Sequence, residues 1–148
     1  MVVLKTPEYE NTAKEIEGAV KEVKKHWMNP GEAAKLACFS SHGHFGELTS
    51  LSMSKLLLLF KLCSNIDEHS SFFDIGLGRG KPLHFASVLF NKIGGIEICG
   101  PLSDFTTNML KEQLGKDTKK TIDITNGNIN AFSEKISQQT HLYAFTKG

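Results

Sequence analysis

Phe72-Phe73-Asp74-Ile75-Gly76-Leu77-Gly78-Arg79-Gly80-Lys81-Pro82 reads as a strand, a tight turn and the opening of a helix. The apolar run after Ser70-Ser71 has the length of a buried strand and is closed by glycines. Glycines at 76, 78 and 80 permit backbone angles closed to other residues and let a second molecule lie against the main chain. Pro82 falls in the first helical turn, where its missing N–H costs nothing. Leu83, Phe85, Ala86, Leu89 and Phe90 give that helix a broad apolar face.

The pattern continues downstream. Ile93 to Cys99 reads as a second strand, then a helix capped by Ser103 or Asp104 carries Phe105, Met109, Leu110 and Leu114. Thr121 to Thr125 is a third strand by its β-branched content, Ala131 to Ser137 a short helix, and His141 to Phe145 a fourth strand. Upstream, Ala13, Ile16, Ala19, Val20, Val23 and Trp27 recur at helical spacing until Asn29-Pro30-Gly31, which should end the helix. A small, polar loop over 40–49 leads to a second helix, about Ser52 to Cys63. The expected fold is α/β: a Rossmann-like, doubly wound parallel sheet of about four strands, preceded by N-terminal helices. Residues 1–148 are expected to form one domain. Within it, 1–70 form a helical part with a covering loop, and 71–148 the first half of the sheet. Right-handed crossovers put the strand C-termini on one edge, where such sheets bind ligands.

Composition narrows the classes. Seventeen basic and sixteen acidic side chains leave a net charge of +1, so no global field draws the chain onto nucleic acid or an anionic membrane. The clusters Lys21, Lys24, Lys25 and Lys116, Lys119, Lys120 read as solvated faces. The run Leu56 to Phe60 is far short of the roughly 18 residues of a membrane span, and the N-terminus does not read as a signal peptide. A soluble intracellular protein, cytoplasmic or nuclear, is expected. Cys38, Cys63 and Cys99 form no Cys-x-x-Cys pair, and His42 and His44 lack further ligands nearby, so no metal is expected.

Three ligand classes use glycine turns. A phosphate-cradling NTPase loop requires Gly-x-x-x-x-Gly-Lys followed by Ser or Thr, but Ile75 and Pro82 occupy two of those positions. A dinucleotide turn counted from Gly76 needs a glycine at 81, where Lys81 stands. The spacing present, Asp-x-Gly-x-Gly-x-Gly from Asp74 to Gly80, resembles the first motif of the S-adenosylmethionine-dependent methyltransferases. An acid there suits a ligand end bearing an ammonium and a sulfonium. Glu97, 23 residues after Asp74 at the end of the next strand, can accept from both ribose hydroxyls, or else is a solvated acid. Asn128 and Ile129, after the third strand, fall where adenine would lie, with a simple Asn-Gly turn as the alternative.

A longer order of segments is similar to one branch of that class. Phe45-Gly46-Glu47-Leu48-Thr49, then a helix, then Phe73 to Lys81 resembles the histone-lysine methyltransferases of the disruptor-of-telomeric-silencing type and their protist relatives. The likeness is good over roughly 40–100 and loose beyond. It implies that Phe45 and Glu47 line the cofactor pocket under a covering loop. It implies that Asp74, Gly76, Leu77, Gly78, Gly80 and Lys81 surround the methionine end, and Glu97 the ribose. Phe45 stands for the family's Tyr and Leu77 for a usual Ser, and Phe145-Thr146 replaces a polar Asn-rich segment.

The resemblance implies an S-adenosylmethionine-dependent methyltransferase acting on a protein lysine, with the cofactor supplying the reactive group. No catalytic residue is legible. A degenerate, non-catalytic cofactor-binding or protein-interaction domain is the alternative. A nicotinamide-dependent oxidoreductase is disfavoured by the glycine spacing. A complete fold of this class has seven strands and the sequence has room for about four, so a fragment is expected, with an exposed sheet edge through which chains self-associate.

Overall fold

The computed structural model describes residues 6–39 and 47–145. Helix α1 spans Pro7–Ala19. Thr6 caps it by accepting from the Tyr9 backbone N–H, Pro7 opens it, and Glu8 and Glu10 favour the positive end of the helix dipole. Its buried stripe, Tyr9, Ala13 and Ile16, packs on α3 (Ser50–Cys63), which buries Met53, Leu57 and Leu58. The Tyr9 hydroxyl donates to the Lys55 carbonyl at 2.6 Å, which ties the two helices together.

Trp27 does not lie on α1, as its spacing predicts. The helix stops after Ala19, bonds such as Lys21 N to Gly18 O tighten the turn, and a 3-10 turn follows over Val23–His26. Trp27 is extended backbone, and its side chain is carried into the core, 7% exposed. The run Asn29-Pro30-Gly31 starts a helix as well as ending one. The Asn29 side chain accepts from the Gly31 N–H at 2.8 Å, Pro30 takes the first helical position, and α2 runs Pro30–Phe39.

The α/β part has β1 (Ser71–Ile75), α4 (Lys81–Ala86), β2 (Lys92–Glu97), α5 (Gly100–Leu114), β3 (Thr121–Asn126), α6 (Ser133–Ser137) and β4 (His141–Ala144). Helix α4 is shorter than its apolar face predicts. Helix α5 begins before the expected caps, at Gly100-Pro101, so Ser103 is buried within it. All four strands are parallel, in the order β3-β2-β1-β4. The chain steps outward from β1 to β3 and then crosses to the other side of β1, so the switch point falls between β1 and β4.

Alternation along β3 shows that the sheet is covered on two sides. Ile122 and Ile124 join the core that holds Phe72, Leu83, Phe90 and Leu110, whereas Asp123 and Thr125, facing the other way, take the Lys135 ammonium of α6. This is the Rossmann-like α/β sheet expected from the sequence, with four strands. On β4 Leu142 is 47% exposed, and just past the strand Phe145 is 43% exposed. Among the described residues no helix is long and apolar enough to cross a membrane.

Candidate cofactor cleft at the glycine turn

The turn after β1 is held open from below. Gly76, Gly78 and Gly80 all have positive φ. The N–H groups of Gly76 and Leu77 both donate to the Ile96 carbonyl at the end of β2, and the Thr106 hydroxyl of α5 donates to the Gly78 carbonyl at 2.9 Å. The Leu77 side chain is 2% exposed and belongs to the core, so only its backbone borders the turn.

Two of the glycines do different jobs. A Cβ at Gly80 would lie 2.7 Å from the Thr106 methyl, in a backbone region that L residues avoid. A Cβ at Gly76 would meet nothing within 4 Å, because that side opens on a cleft. Gly80→Ala is therefore expected to cost about 2–3 kcal/mol in denaturant unfolding, from left-handed strain plus displacement of Thr106. Gly76→Ala should cost only about 1 kcal/mol of strain while placing a methyl in the cleft. Equal losses for the two would contradict this division.

The cleft, about 390 Å³, is lined by Gly76, Ile96, Glu97, Gly127, Asn128 and Ile129 among others. The fold thus brings the turn, the end of β2 and the segment after β3 to one place. The Glu97 carboxylate accepts from the N–H groups of Gly78 at 2.9 Å and Cys99 at 3.0 Å. Each oxygen keeps a further lone pair. Asn128 uses its side-chain oxygen to accept from the Asn130 N–H, capping the short turn Ile129–Ala131, and likewise keeps one acceptor site.

Asp74 is the outlier. It lies near the end of β1, 1% exposed, and neither carboxylate oxygen has a hydrogen-bond partner among the described residues. Burial, with the Glu97 charge adding, pushes its carboxyl well above the usual range. An unpartnered buried carboxylate costs free energy unless a donor or cation arrives. Its neighbour in register on β4 is Tyr143, 9% exposed, a residue that local pattern did not single out. Burial pushes the Tyr143 hydroxyl up to about 12, with the Asp74 and Glu47 carboxylates adding to it. Its ring stacks on Phe72, 6.1 Å between centroids.

Glu47 and Lys81 sit in a second cluster. The Arg79 Nε donates to both Glu47 oxygens, at 3.1 and 2.9 Å, and Nη2 adds a closer contact to one of them. Arg79 also donates to the Met28 carbonyl, and its guanidinium lies 5.1 Å from the Trp27 ring centre. The Lys81 ammonium donates to the Leu48 carbonyl at 2.6 Å and lies 3.7 Å from Glu47. Burial pulls the Lys81 ammonium below its usual value, against the opposing pull of Glu47. These contacts fasten the segment 47–49 onto the glycine turn. Phe45, His42, His44 and Thr146 fall outside the described residues, among which no group of three or more His, Cys, Asp and Glu could hold a metal.

Trp27 Nε1–H donates to His84 Nδ1, which leaves the neutral ring's proton on Nε2, a buried atom without a partner among the described residues. Burial, with His26 adding, lowers the His84 pKa to about 4. Between about 6.5 and about 4 the unfolded chain therefore binds the proton that the folded one refuses, so stability falls as pH drops through that window. His84→Gln keeps an acceptor for Trp27 but does not titrate. Urea unfolding is expected to show the stability advantage of the wild type over this variant shrinking by about 2–3 kcal/mol from about pH 7.5 to about pH 4.5. A constant difference would mean that the imidazole charges without penalty.

No protein-family model matches the sequence, and no curated protein does. Among solved structures, the fold is similar to a candidate RNA methyltransferase from Pyrococcus horikoshii, at 21% identity and a TM-score of 0.44, over 71% of this chain and 54% of that one. It is also similar to coclaurine N-methyltransferase, solved with N-methylheliamine and SAH, at 18% identity and a TM-score of 0.42, over 84% of this chain and 39% of that one. The chain thus spans about half the length of the first and about two-fifths of the second.

Proposed function

We propose that this chain binds S-adenosylmethionine in the cleft at the glycine turn and serves methyl transfer to a protein lysine. The observation that carries the reading is Asp74, whose two buried oxygens have no hydrogen-bond partner among the described residues, beside a turn with no side chain at position 76. A ligand end bearing an ammonium supplies the missing donors and the missing charge. Asp74 would hold that ammonium, with the backbone of Gly76 to Gly80 beside it. The free lone pairs of Glu97 would accept from ribose hydroxyls, and Asn128 and Ile129 would border adenine. When bound, the cofactor supplies a methyl on a sulfonium centre, which leaves as the sulfur keeps the bonding electron pair.

The chain's own contribution is orientation and exclusion of water. Asp74 would hold the methionine end and Glu97 the ribose, while Arg79 and Lys81 fasten Glu47 and Leu48 beside the glycine turn. Support for a lysine acceptor comes from the order of segments: Glu47 and Leu48, then α3, then the glycine turn.

Calorimetric titration of the full chain with S-adenosylmethionine, with NAD alongside, tests the first half of the reading. Saturable binding of the first and none of the second is expected. No binding by a folded chain would sink the reading. The second half is tested with methyl-labelled cofactor and lysine-rich protein acceptors; binding without transfer would favour a non-catalytic cofactor-binding domain.

A further inference from the structure

Strands β2 and β3 end on one register pair, Glu97 and Asn126. Beyond it the chain turns off in two directions, into α5 from Gly100 and into the segment Gly127-Asn128 that borders the cleft. The backbone ladder stops here, and one side chain carries it further. The Asn126 amide donates from Nδ2 to the Glu97 carbonyl at 2.8 Å and to the Ile98 carbonyl at 3.3 Å. Both partners are acceptors, which fixes the amide with its N–H groups toward β2. The Gly127 N–H adds a bond to the Glu97 carbonyl at 3.1 Å, and the Phe132 ring packs where a Cβ at Gly127 would lie.

These bonds bear on the Glu97 carboxylate. The Ile98 carbonyl and the Cys99 N–H belong to one planar peptide unit. Asn126 holds its carbonyl end, while its N–H end donates to the Glu97 carboxylate at 3.0 Å. Turning that peptide would therefore turn the carboxylate away from its second donor, the Gly78 N–H at 2.9 Å. We infer that Asn126 is a positioning residue for the ligand's ribose: through this peptide it keeps the remaining lone pairs of Glu97 on the ribose hydroxyls. The inference rests on the cofactor reading and adds to it a residue that does not line the cleft. Two adjacent hydroxyls on one carboxylate leave little room for rotation, because hydrogen bonds weaken steeply as their angles close. Asn126 is itself exposed, so replacing it neither empties the core nor enlarges the cleft.

The experiment titrates the full chain with S-adenosylmethionine and with the analogue that lacks both ribose hydroxyls. It compares the wild type with Asn126→Ala and with Asn126→Asp, which keeps the shape but has no N–H to give. The wild type is expected to prefer the natural ligand by about tenfold or more, as hydrogen bonds to a charged group warrant. Each substitution should weaken S-adenosylmethionine by about fivefold and leave the analogue unchanged, so the preference contracts by the same factor. With Glu97→Gln already in place, Asn126→Ala should weaken binding no further. In the ligand-free chain, hydrogen exchange of the Cys99 amide should quicken in both Asn126 variants, with melting curves showing that each is folded. The outcomes separate the two readings. A folded wild type that does not bind S-adenosylmethionine overturns the cofactor reading and this inference with it. Three others overturn this inference alone: a wild type that binds both ligands equally, a preference untouched by either substitution, or equal weakening of both ligands, which marks a merely structural residue. Unchanged exchange at Cys99 in both variants would overturn it as well.

Discussion

Asp74→Asn is expected to weaken binding of S-adenosylmethionine by about tenfold or more and, in the same protein, to raise its melting temperature. Both effects come from one feature, a carboxylate with two buried oxygens and no partner among the described residues. In the ligand-free chain, burial and the nearby Glu97 charge hold the Asp74 carboxyl well above its usual range. The folded state therefore keeps its proton at pH values where the unfolded chain has released it. Stability falls as pH rises above the unfolded carboxylate range, and the loss is complete above the raised folded value. Asparagine has the same shape and never titrates, so it escapes this loss. The gain is expected to be on the order of 1–3 kcal/mol at neutral pH, a rise of about 3–10 °C in Tm. In acid below the ordinary carboxylate range the difference should vanish.

The same substitution removes the counter-charge for the ligand's ammonium. A hydrogen bond to a charged group contributes about 1.5–3 kcal/mol, so affinity should fall by about 10- to 100-fold or more. Wild-type binding should also release a proton at pH values between the ordinary carboxylate range and the raised value of folded Asp74, because a cation at Asp74 restores its ordinary acidity. Calorimetry in buffers of different ionisation enthalpy reads that proton. A variant that melts lower and binds unchanged would show that Asp74 has a structural partner and no ligand role.

The sheet was legible because its signals are local. The strand at 72–75, the glycines behind it, Glu97 at the end of β2 and the β-branched run at 121–125 each announce themselves within a few residues. What escaped was set by partners far along the chain. Trp27 leaves helical spacing because its indole bonds His84, 57 residues on. Helix α2 was hidden because Asn29-Pro30-Gly31 serves equally as a stop and as a cap, and only the Asn29–Gly31 bond decides. Tyr143 looked like one residue of an apolar strand until the parallel register set it beside Asp74. Glu47 and Lys81 were both singled out, but Arg79, which pairs with Glu47, was given no role of its own. No periodicity encodes an ion pair across 32 residues.

Arg79→Ala should be the most damaging single change outside the apolar core. The guanidinium is 9% exposed and has three kinds of contact: a forked bond to Glu47, a bond to the Met28 carbonyl, and the face of Trp27. Alanine leaves the Glu47 carboxylate, 19% exposed, facing only Lys81 at 3.7 Å, and leaves Met28 without that donor. Removing one partner of a largely buried pair costs about 3–5 kcal/mol, and residual water access at Glu47 places this case near 3. Arg79→Lys should recover less than half, because an ammonium cannot make the fork or lie flat on the indole. A double-mutant cycle with Glu47→Gln should return a coupling of about 2 kcal/mol, several times that of an exposed pair. The loss should also be felt locally. With Arg79 gone, Lys81 is left to tie Glu47 and Leu48 to the glycine turn. Amide exchange in that segment and in the turn should then rise beyond what the global loss predicts. A cost below about 1 kcal/mol, with exchange unchanged, would reduce the cluster to a solvated ion pair. What holds Glu47 and Leu48 beside the glycine turn would then have to be sought elsewhere.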